Sequence, residues 1–376
     1  MNSHFEAHRE DFIVVGGGLA GLTTAIALAR KNIPVKIIYD HSDPLAATQA
    51  CHGISTIKGI LESDAALFGL KLLGHRGFSA WLSEIEGLLG VKRPEAAWSE
   101  GVAERFPNRQ DFQKDIGWIY RKDFMGAKQV VLRTEQTENY VEAYYPGDWW
   151  IDPEYLIRIL QEAAKKLGVV TQDAVVKNIS NSKTMFTITL STGEAVTAKT
   201  VILCGGASIV RLMDMAGVHK YDWFAVSGYT YKAAYDALET CLVKRTSGLT
   251  SKAGTLHWGA ASETAIPLTS TSGGQGSGTQ MLVKRVRTGE EEAKIAEFHL
   301  HKFMSHLSLE DFKNVQVRWG ARVRNRSRSP AIDCVKVIPE GGLWINAGYY
   351  KSGVILSWMF AEELAQKITS VEDGRL

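Results

Sequence analysis

Asp11–Asp40 reads DFIVVGGGLAGLTTAIALARKNIPVKIIYD, and this stretch decides the fold. Phe12–Val15 is a short apolar, β-branched run of the kind found in buried parallel strands. Gly16, Gly18 and Gly21 follow as G-x-G-x-x-G. Leu22–Arg30 is rich in Ala and Leu and predicts a helix that Asn32 ends. Val35–Tyr39 predicts a second strand, with Asp40 close to the roughly 20-residue spacing expected of a ribose ligand. Each part has a physical task. Gly16 permits a tight turn, Gly18 lets backbone amides approach a pyrophosphate, and Gly21 lets helix and strand pack closely. The helix N-terminus adds unpaired N–H groups and a positive dipole end for phosphates, and Asp40 can accept hydrogen bonds from ribose hydroxyls. Strand, glycines, helix, strand and acid together predict a dinucleotide-binding unit. The motif alone does not separate FAD from NAD, and no second G-x-G-x-x-G occurs.

The chain has 376 residues, enough for two domains of ordinary size. It is 45% apolar and 22% charged, with 43 basic and 41 acidic residues and a formal charge of +2. That balance gives no bulk bias toward nucleic acid or membrane. Cys51, Cys204, Cys241 and Cys334 lie far apart, so neither a disulfide framework nor a zinc site is readable and a reducing compartment is expected. The first residues, MNSHFEAHRED, are polar and lack an apolar signal-peptide core. No apolar run is long enough to span a bilayer. A cytoplasmic, soluble protein without a bound metal is expected.

Four later segments resemble, in order, the D-amino acid oxidase/glycine oxidase superfamily of FAD enzymes. Ala46–Gly59, AATQACHGISTIKG, resembles the family's small-residue run that passes the pyrophosphate and reaches the flavin. Asp148–Val169 resembles its G-x-V-D-P entry into a helix, with Asp152 as N-cap, Pro153 at the first helical position and Gly168 at the C-terminus. Lys199–Ser208, KTVILCGGAS, resembles a strand ending in a Gly-Ala turn near FAD. Gly320–Ala365 resembles the ending G-x-R-P…P…G-H-x-x-x-G-I-x-L-x-P. The likeness covers about half of the chain and is loose over about Leu212–Val317.

The resemblance implies FAD as cofactor and assigns residues. Gly16, Gly18, Gly21, Asp40, Thr48, His52, Gly53, Val176, Gly205, Gly348, Ser352, Gly353 and Val354 are the implied FAD-binding set. A helix starting around Ser352–Val354 would aim its free N–H groups at the flavin's N1–C2=O edge, where negative charge gathers on reduction. The family arginine that grips the substrate carboxylate falls on Arg322, with Val323 in place of the usual proline and Pro330 in step. Tyr349 stands where relatives often have His, and Lys351 where they often have Arg. Relatives place a carboxylate-binding tyrosine where this chain has Thr264 and Ala265; Tyr229 or Tyr231 are the substitutes considered. His52 has three readings: covalent attachment to flavin, noncovalent contact with it, or packing. Arg324, Arg326 and Arg328 recur at alternate positions and read as a solvated face, the alternative being attraction of a substrate with additional negative charge.

The expected fold is therefore α/β: a glutathione-reductase-like, Rossmann-type FAD-binding domain plus an α+β substrate domain with a mainly antiparallel sheet. Residues 1–89, 141–211 and 320–376 are assigned to the former, 90–140 and 212–319 to the latter. Phe224–Tyr235 predicts a strand, and Glu290–His306 a helix with Ile295, Phe298 and Phe303 on its apolar stripe. TSGGQGSG, 271–278, predicts a hairpin turn, and Tyr144, Tyr145, Trp149 and Trp150 a packed cluster. The implied activity is oxidation of the C–N bond of a small amine or amino acid by hydride transfer to flavin N5, with oxygen as acceptor. Tyr229, Arg322, Tyr349 and Lys351 form the implied catalytic set. The alternatives are a dehydrogenase of a secondary amine or 2-hydroxy acid serving a quinone or protein acceptor, a tRNA-modifying flavoprotein, and a binding protein that keeps FAD structurally. The expected partners are the small substrate and its electron acceptor, with no nucleic acid and a homo-oligomer left open.

Overall fold

The computed structural model describes residues 8–43, 46–61, 65–121, 133–136, 140–235, 240–244, 247–252, 254–261, 266–268, 290–312, 314–339 and 341–372. The chain opens with β1 (His8–Val15), α1 (Leu19–Arg30), β2 (Lys36–Tyr39), β3 (Ile54–Ser55), α2 (Ile57–Leu61) and α3 (Ala65–Leu89). β4 (Trp98–Phe106), α4 (Arg109–Arg121), β5 (Arg133–Gln136), β6 (Val141–Ile151) and α5 (Pro153–Lys166) follow. Next come β7 (Val170–Asp173), β8 (Val176–Asn181), β9 (Phe186–Leu190), β10 (Ala195–Leu203) and α6 (Ile209–Met215). β11 (Trp223–Ala234), β12 (Thr240–Lys244), β13 (Ser247–Lys252), β14 (Thr255–Ala261), β15 (Ile266–Leu268) and α7 (Glu290–His301) continue it. β16 (Gln316–Asn325), β17 (Ala331–Ile338), β18 (Gly341–Ala347) and α8 (Gly353–Glu372) complete it.

Among the described residues the strands form two sheets. The first runs β17-β18-β10-β1-β2-β7, with β9 joined to β10 and β8 to β9. β1 lies parallel to both β2 and β10, and β10 parallel to β18. Its central strands are buried on both faces, which is why they read as continuous apolar runs. Phe12, Val14, Ile37 and Ile202 pack with α1, α3, α5 and α8 on one side. Ile13, Val15, Ile38 and Val201 pack with β8, β9 and α6 on the other. Asp152 caps α5 as expected: its Oδ1 accepts from the Glu154 N–H at 2.9 Å, and Pro153 occupies the first turn. Asn32 (φ 60°) ends α1 in the left-handed region.

The second sheet runs β15-β11-β14-β13-β12-β4-β6-β3, with β16 beside β11 and β5 beside β6. Only the β4–β12 contact is parallel among the described pairings. Three segments assigned from sequence to the cofactor half pair in this sheet: β3, β6, and Gly320–Asn325 of β16. The expected helix ends at His301, and its buried positions are Ala296 and Leu300 one turn apart; Phe298 points to solvent at 63% exposure. The helix packs over Tyr231, Leu256 and Trp258 on one face of the sheet. The opposite face looks toward the first sheet. Of the four aromatics expected to pack in the core, Tyr145, Trp149 and Trp150 are buried and Tyr144 half-buried, but they join different clusters. The Trp149 ring stacks on Phe78 at 4.6 Å and on Trp98 at 5.1 Å. The hairpin expected at 271–278 lies outside the described residues. No described helix is long and apolar enough to cross a membrane.

Candidate active site

A cavity of about 1420 Å³ runs from the end of β2, past the start of α1, to the start of α8. Its first stretch is a backbone cradle. Gly16 (φ 122°) has no room for a side chain, since a Cβ there would lie 2.4 Å from the Cys204 carbonyl oxygen. A Cβ on Gly21 would lie 1.7 Å from the Gly16 carbonyl oxygen, so strand and helix touch backbone to backbone. Gly18 is the N-cap of α1, and the Leu19 N–H reaches Thr48 Oγ1 at 3.3 Å. Asp40 uses Oδ1 to accept from the Ser42 N–H (2.9 Å) and hydroxyl (2.6 Å), leaving Oδ2 without a partner among the described residues. Ala174–Val176 and Gly205 complete this part of the wall. These groups suit a dinucleotide: an acid for ribose, an open helix end for phosphate, and bare backbone where phosphate must come close. Every residue of the implied FAD set lines the cavity except Gly21, whose task is the strand–helix contact.

The small-residue run lies between the two sheets on a bed cleared by glycines. Ala46 bridges to Ala321 of β16, and a Cβ on Gly320 would meet Ala50 at 2.8 Å. Thr230 Oγ1 donates to the Ala50 carbonyl oxygen at 2.6 Å. Gly53 takes φ 78°, where a Cβ would lie 1.9 Å from the Ile151 carbonyl oxygen. The His52 ring fits between Gly248 and Gly259, whose added Cβ atoms would lie 2.7 and 3.3 Å from it. Its Nε2 lies 3.3 Å from Thr250 Oγ1, and Nδ1 has no partner among the described residues. Burial, and then the neighbouring His257, lower its pKa to about 3, so the ring is neutral.

At the far end, α8 begins at Gly353, and its first turn, Gly353, Val354 and Ile355, faces the cavity. N–H groups in a first turn have no intrahelical partner and carry the positive end of the helix dipole. The preceding turn holds Gly348 (φ 88°) and Tyr350 (φ 53°), whose N–H donates to the Val323 carbonyl oxygen at 3.0 Å. Arg322 is half-buried in the cavity wall, and its guanidinium lies 5.7 Å from the Tyr350 ring. Burial lowers its pKa, while the nearby Tyr350 and Cys51 raise it.

Two expected site residues, Tyr349 and Tyr229, and the expected arginine face stand differently from the sequence reading. The Tyr349 hydroxyl donates to Asn346 Oδ1, Asn346 Nδ2 donates to Thr24 Oγ1 at 2.9 Å, and the ring packs against Phe360. It supports the wall through the core rather than offering a free hydroxyl. Tyr229 borders the cavity, but its ring stacks on Tyr231 within the Trp258 cluster, on the face of β11 opposite Gly228 and Thr230. Strand alternation turns both rings toward the cluster beneath α7. The expected face of Arg324, Arg326 and Arg328 breaks where β16 ends at Asn325. Arg324 shares the cavity side with Arg322; Arg326 is exposed and pairs with Asp222 at 3.4 Å; Arg328 stands exposed at the rim with φ 60°. Lys351 is exposed at the same rim. Tyr350 is a wall residue that sequence reasoning missed, and Arg324 lines the wall where a solvated face was the leading reading. The two-residue spacing of Arg322 and Arg324 within a strand was the available signal.

The sequence matches the family described as FAD dependent oxidoreductase (DAO) over residues 11–367. No curated protein gives a significant match. Among solved structures, iminodiacetate oxidase from Chelativorans sp. superposes with a TM-score of 0.75 at 18% identity, covering 96% of this chain and 95% of that one. Glycine oxidase from Bacillus cereus gives 0.75 at 19% identity, covering 97% and 98%. Glycine oxidase from Geobacillus kaustophilus gives 0.72 at 20% identity, covering 97% and 96%. At these identities the likeness concerns the fold. Taken with the glycine cradle and the cavity that fits a dinucleotide, the family match makes this chain an enzyme with FAD as its cofactor, a member of the DAO family of FAD-dependent oxidoreductases.

Proposed function

We propose that the site oxidises the C–N bond of a small amine or amino acid whose carboxylate is held by Arg322, with oxygen as the electron acceptor. The observation that carries this reading is the state of Arg322. It is a half-buried guanidinium at the α8 end of the cavity, and no carboxylate among the described residues lies within ion-pair distance of it. A desolvated cation is costly unless an anion answers it, and a planar guanidinium grips a carboxylate through two parallel hydrogen bonds. Such a grip fixes the substrate's Cα and nitrogen relative to the wall, which converts binding into orientation.

Bound FAD would supply the two-electron acceptor for the C–H bond next to nitrogen, with oxygen as the final acceptor and hydrogen peroxide as its product. The substrate enters with a neutral amine, whose lone pair becomes the new C=N bond as hydride leaves. Water then hydrolyses the imine to a carbonyl compound and free amine. The chain's own contribution is positional and electrostatic. Arg322 holds the carboxylate, and the first turn of α8 presents N–H groups and a positive dipole end where negative charge collects. Tyr350, tied to β16 through the Val323 carbonyl, keeps the loop before α8 against Arg322.

The test is turnover in air with glycine, sarcosine, both alanine enantiomers and 2-hydroxy acids, following peroxide and the carbonyl product. Peroxide in step with product from an amine is expected. Product only when an artificial quinone is added would favour the dehydrogenase alternative. Oxidation of hydroxy acids but of no amine would contradict the reading.

A further inference from the structure

The arginines of β16 fall into two classes by what answers them. Arg318 pairs with Glu154, which also receives Lys232 Nζ at 2.8 Å. Arg326, past the strand's end, pairs with Asp222. Arg322 and Arg324 lie between them on the cavity side, and neither has a carboxylate within ion-pair distance among the described residues. Among the described residues, the only carboxylates on the cavity wall, Asp40 and Asp43, stand at the β2 end.

We propose that Arg324, with the rings of Phe224 and Tyr350, forms a second anion-binding position beside Arg322, so that the site takes an amine carrying two acidic groups, a short dicarboxylate. The inference deepens and rests on the reading of this end of the cavity as the substrate's carboxylate site.

The geometry supports a built position rather than a stray surface cation. Alternate residues of one strand lie about 6.6 Å apart along it and share a face. The Arg324 guanidinium lies 4.9 Å from the Phe224 ring, its partner across β11, and 6.0 Å from the Tyr350 ring. The Arg322 guanidinium lies 5.7 Å from the same Tyr350 ring, so both heads converge on one side chain. That side chain is itself fixed by its backbone bond to Val323, the residue between the two arginines. Arg324 spends one donor on the Asn325 carbonyl oxygen at 3.3 Å; a guanidinium carries five N–H donors, so others remain for a ligand. Rings against a guanidinium remove water from its faces and leave its edge to meet an oxyanion. Arg328 and Lys351 at the rim add long-range attraction. A monocarboxylate answers one of the two heads. A dicarboxylate of a few carbons answers both, which gives the site a reason to prefer it.

The test uses the FAD-loaded protein under anaerobic conditions, reading dissociation constants from the perturbation of flavin absorbance. The probes are non-oxidisable acid pairs, acetate against malonate and propionate against succinate. Each diacid is expected to bind at least about tenfold tighter than its monoacid, the scale of one charge-assisted contact. Arg324→Gln should reduce that preference to within about twofold, weakening the diacids far more than the monoacids, with FAD content retained. Arg324→Lys should restore part of it, which a purely structural role would not produce. Equal affinities in the wild type, or an Arg324→Gln variant weakened equally toward both members of each pair, would overturn the proposal. In parallel, sarcosine and iminodiacetate are tested for bleaching of the flavin. A diacid preference lost in Arg324→Gln but without bleaching by any amine would support the second anion position and overturn the oxidation reading instead.

Discussion

The two ends of the cavity are built by different means. At the β1–α1 end the wall is backbone: Gly16, Gly18 and Gly21 keep side chains out, and a helix N-terminus supplies the polar groups. At the α8 end the wall is side chains: Arg322 and Arg324 from β16 and Tyr350 from the loop before α8, with the Phe224 ring of β11 behind Arg324. The first end is written within about 30 consecutive residues, as a βαβ dinucleotide unit is. The second is assembled from segments separated by roughly a hundred residues and meets only through sheet pairing, Phe224 opposite Arg324 and Val226 opposite Arg322. The cofactor end is thus local and intolerant of added atoms, while the proposed substrate end depends on long-range register and can be altered by changing side chains.

Substitutions at the two ends should separate cleanly. The largest effect is expected from Gly21→Ala. Its Cβ would fall 1.7 Å from the Gly16 carbonyl oxygen, and because the obstacle is backbone, strand and helix must part, at a cost of about 3 kcal/mol or more. Thermal unfolding and the flavin content of the purified protein should both fall sharply. Next comes Arg322→Ala, expected to lower kcat/KM for the amine by about a hundredfold or more through loss of a bidentate charged contact, with flavin content retained. If Arg322→Ala instead lost its flavin, the division between the two ends would fail.

A third expected effect concerns pH. Burial, ahead of neighbouring charges, holds His52 near pKa 3 and both His75 and His257 near 4. Each ordinarily titrates near 6.5, so below that value the unfolded chain binds protons that the folded chain refuses. Stability should therefore be fully present above about pH 6.5 and decline as pH falls toward 4, by up to about 1.4 kcal/mol per pH unit for each group. The slope of unfolding free energy against pH checks this, and His75→Gln should flatten it. The smallest effect is expected from Arg326→Ala. Its pair with Asp222 is 3.4 Å long and exposed on both sides, so unfolding free energy and kcat/KM should change by under about 0.5 kcal/mol.

The same contrast explains what could be read before the structure. Asp152 as helix cap, Asn32 as helix end and the glycine cradle are decided by neighbours in sequence, and local rules reach them. The fate of Tyr229 and Tyr231 is decided by which face of β11 meets α7, and the fate of Arg324 and Arg326 by where β16 stops pairing. Arg324 shares the face of Arg322, and it came to be read as solvated by being grouped with Arg326 and Arg328, which lie past the end of β16. Tyr349 was read as a catalytic group from its alignment with family histidines, but its hydroxyl donates to Asn346, which Thr24 of α1 holds in turn. The bed of glycines beneath His52, Gly248 and Gly259, became visible only with the pairing of β13 and β14.

The central claim is that one continuous cavity joins an FAD cradle to a carboxylate clamp at Arg322. The most direct measurement is anaerobic mixing of the flavin-loaded protein with an amine-bearing carboxylate, following the visible absorbance of the flavin in the wild type and in Arg322→Ala. Bleaching in the wild type, recovery on admitting air, and loss of bleaching in the variant despite full flavin content are the results predicted. Equal bleaching of the two proteins, or none in the wild type with any amine carboxylate, would contradict the account.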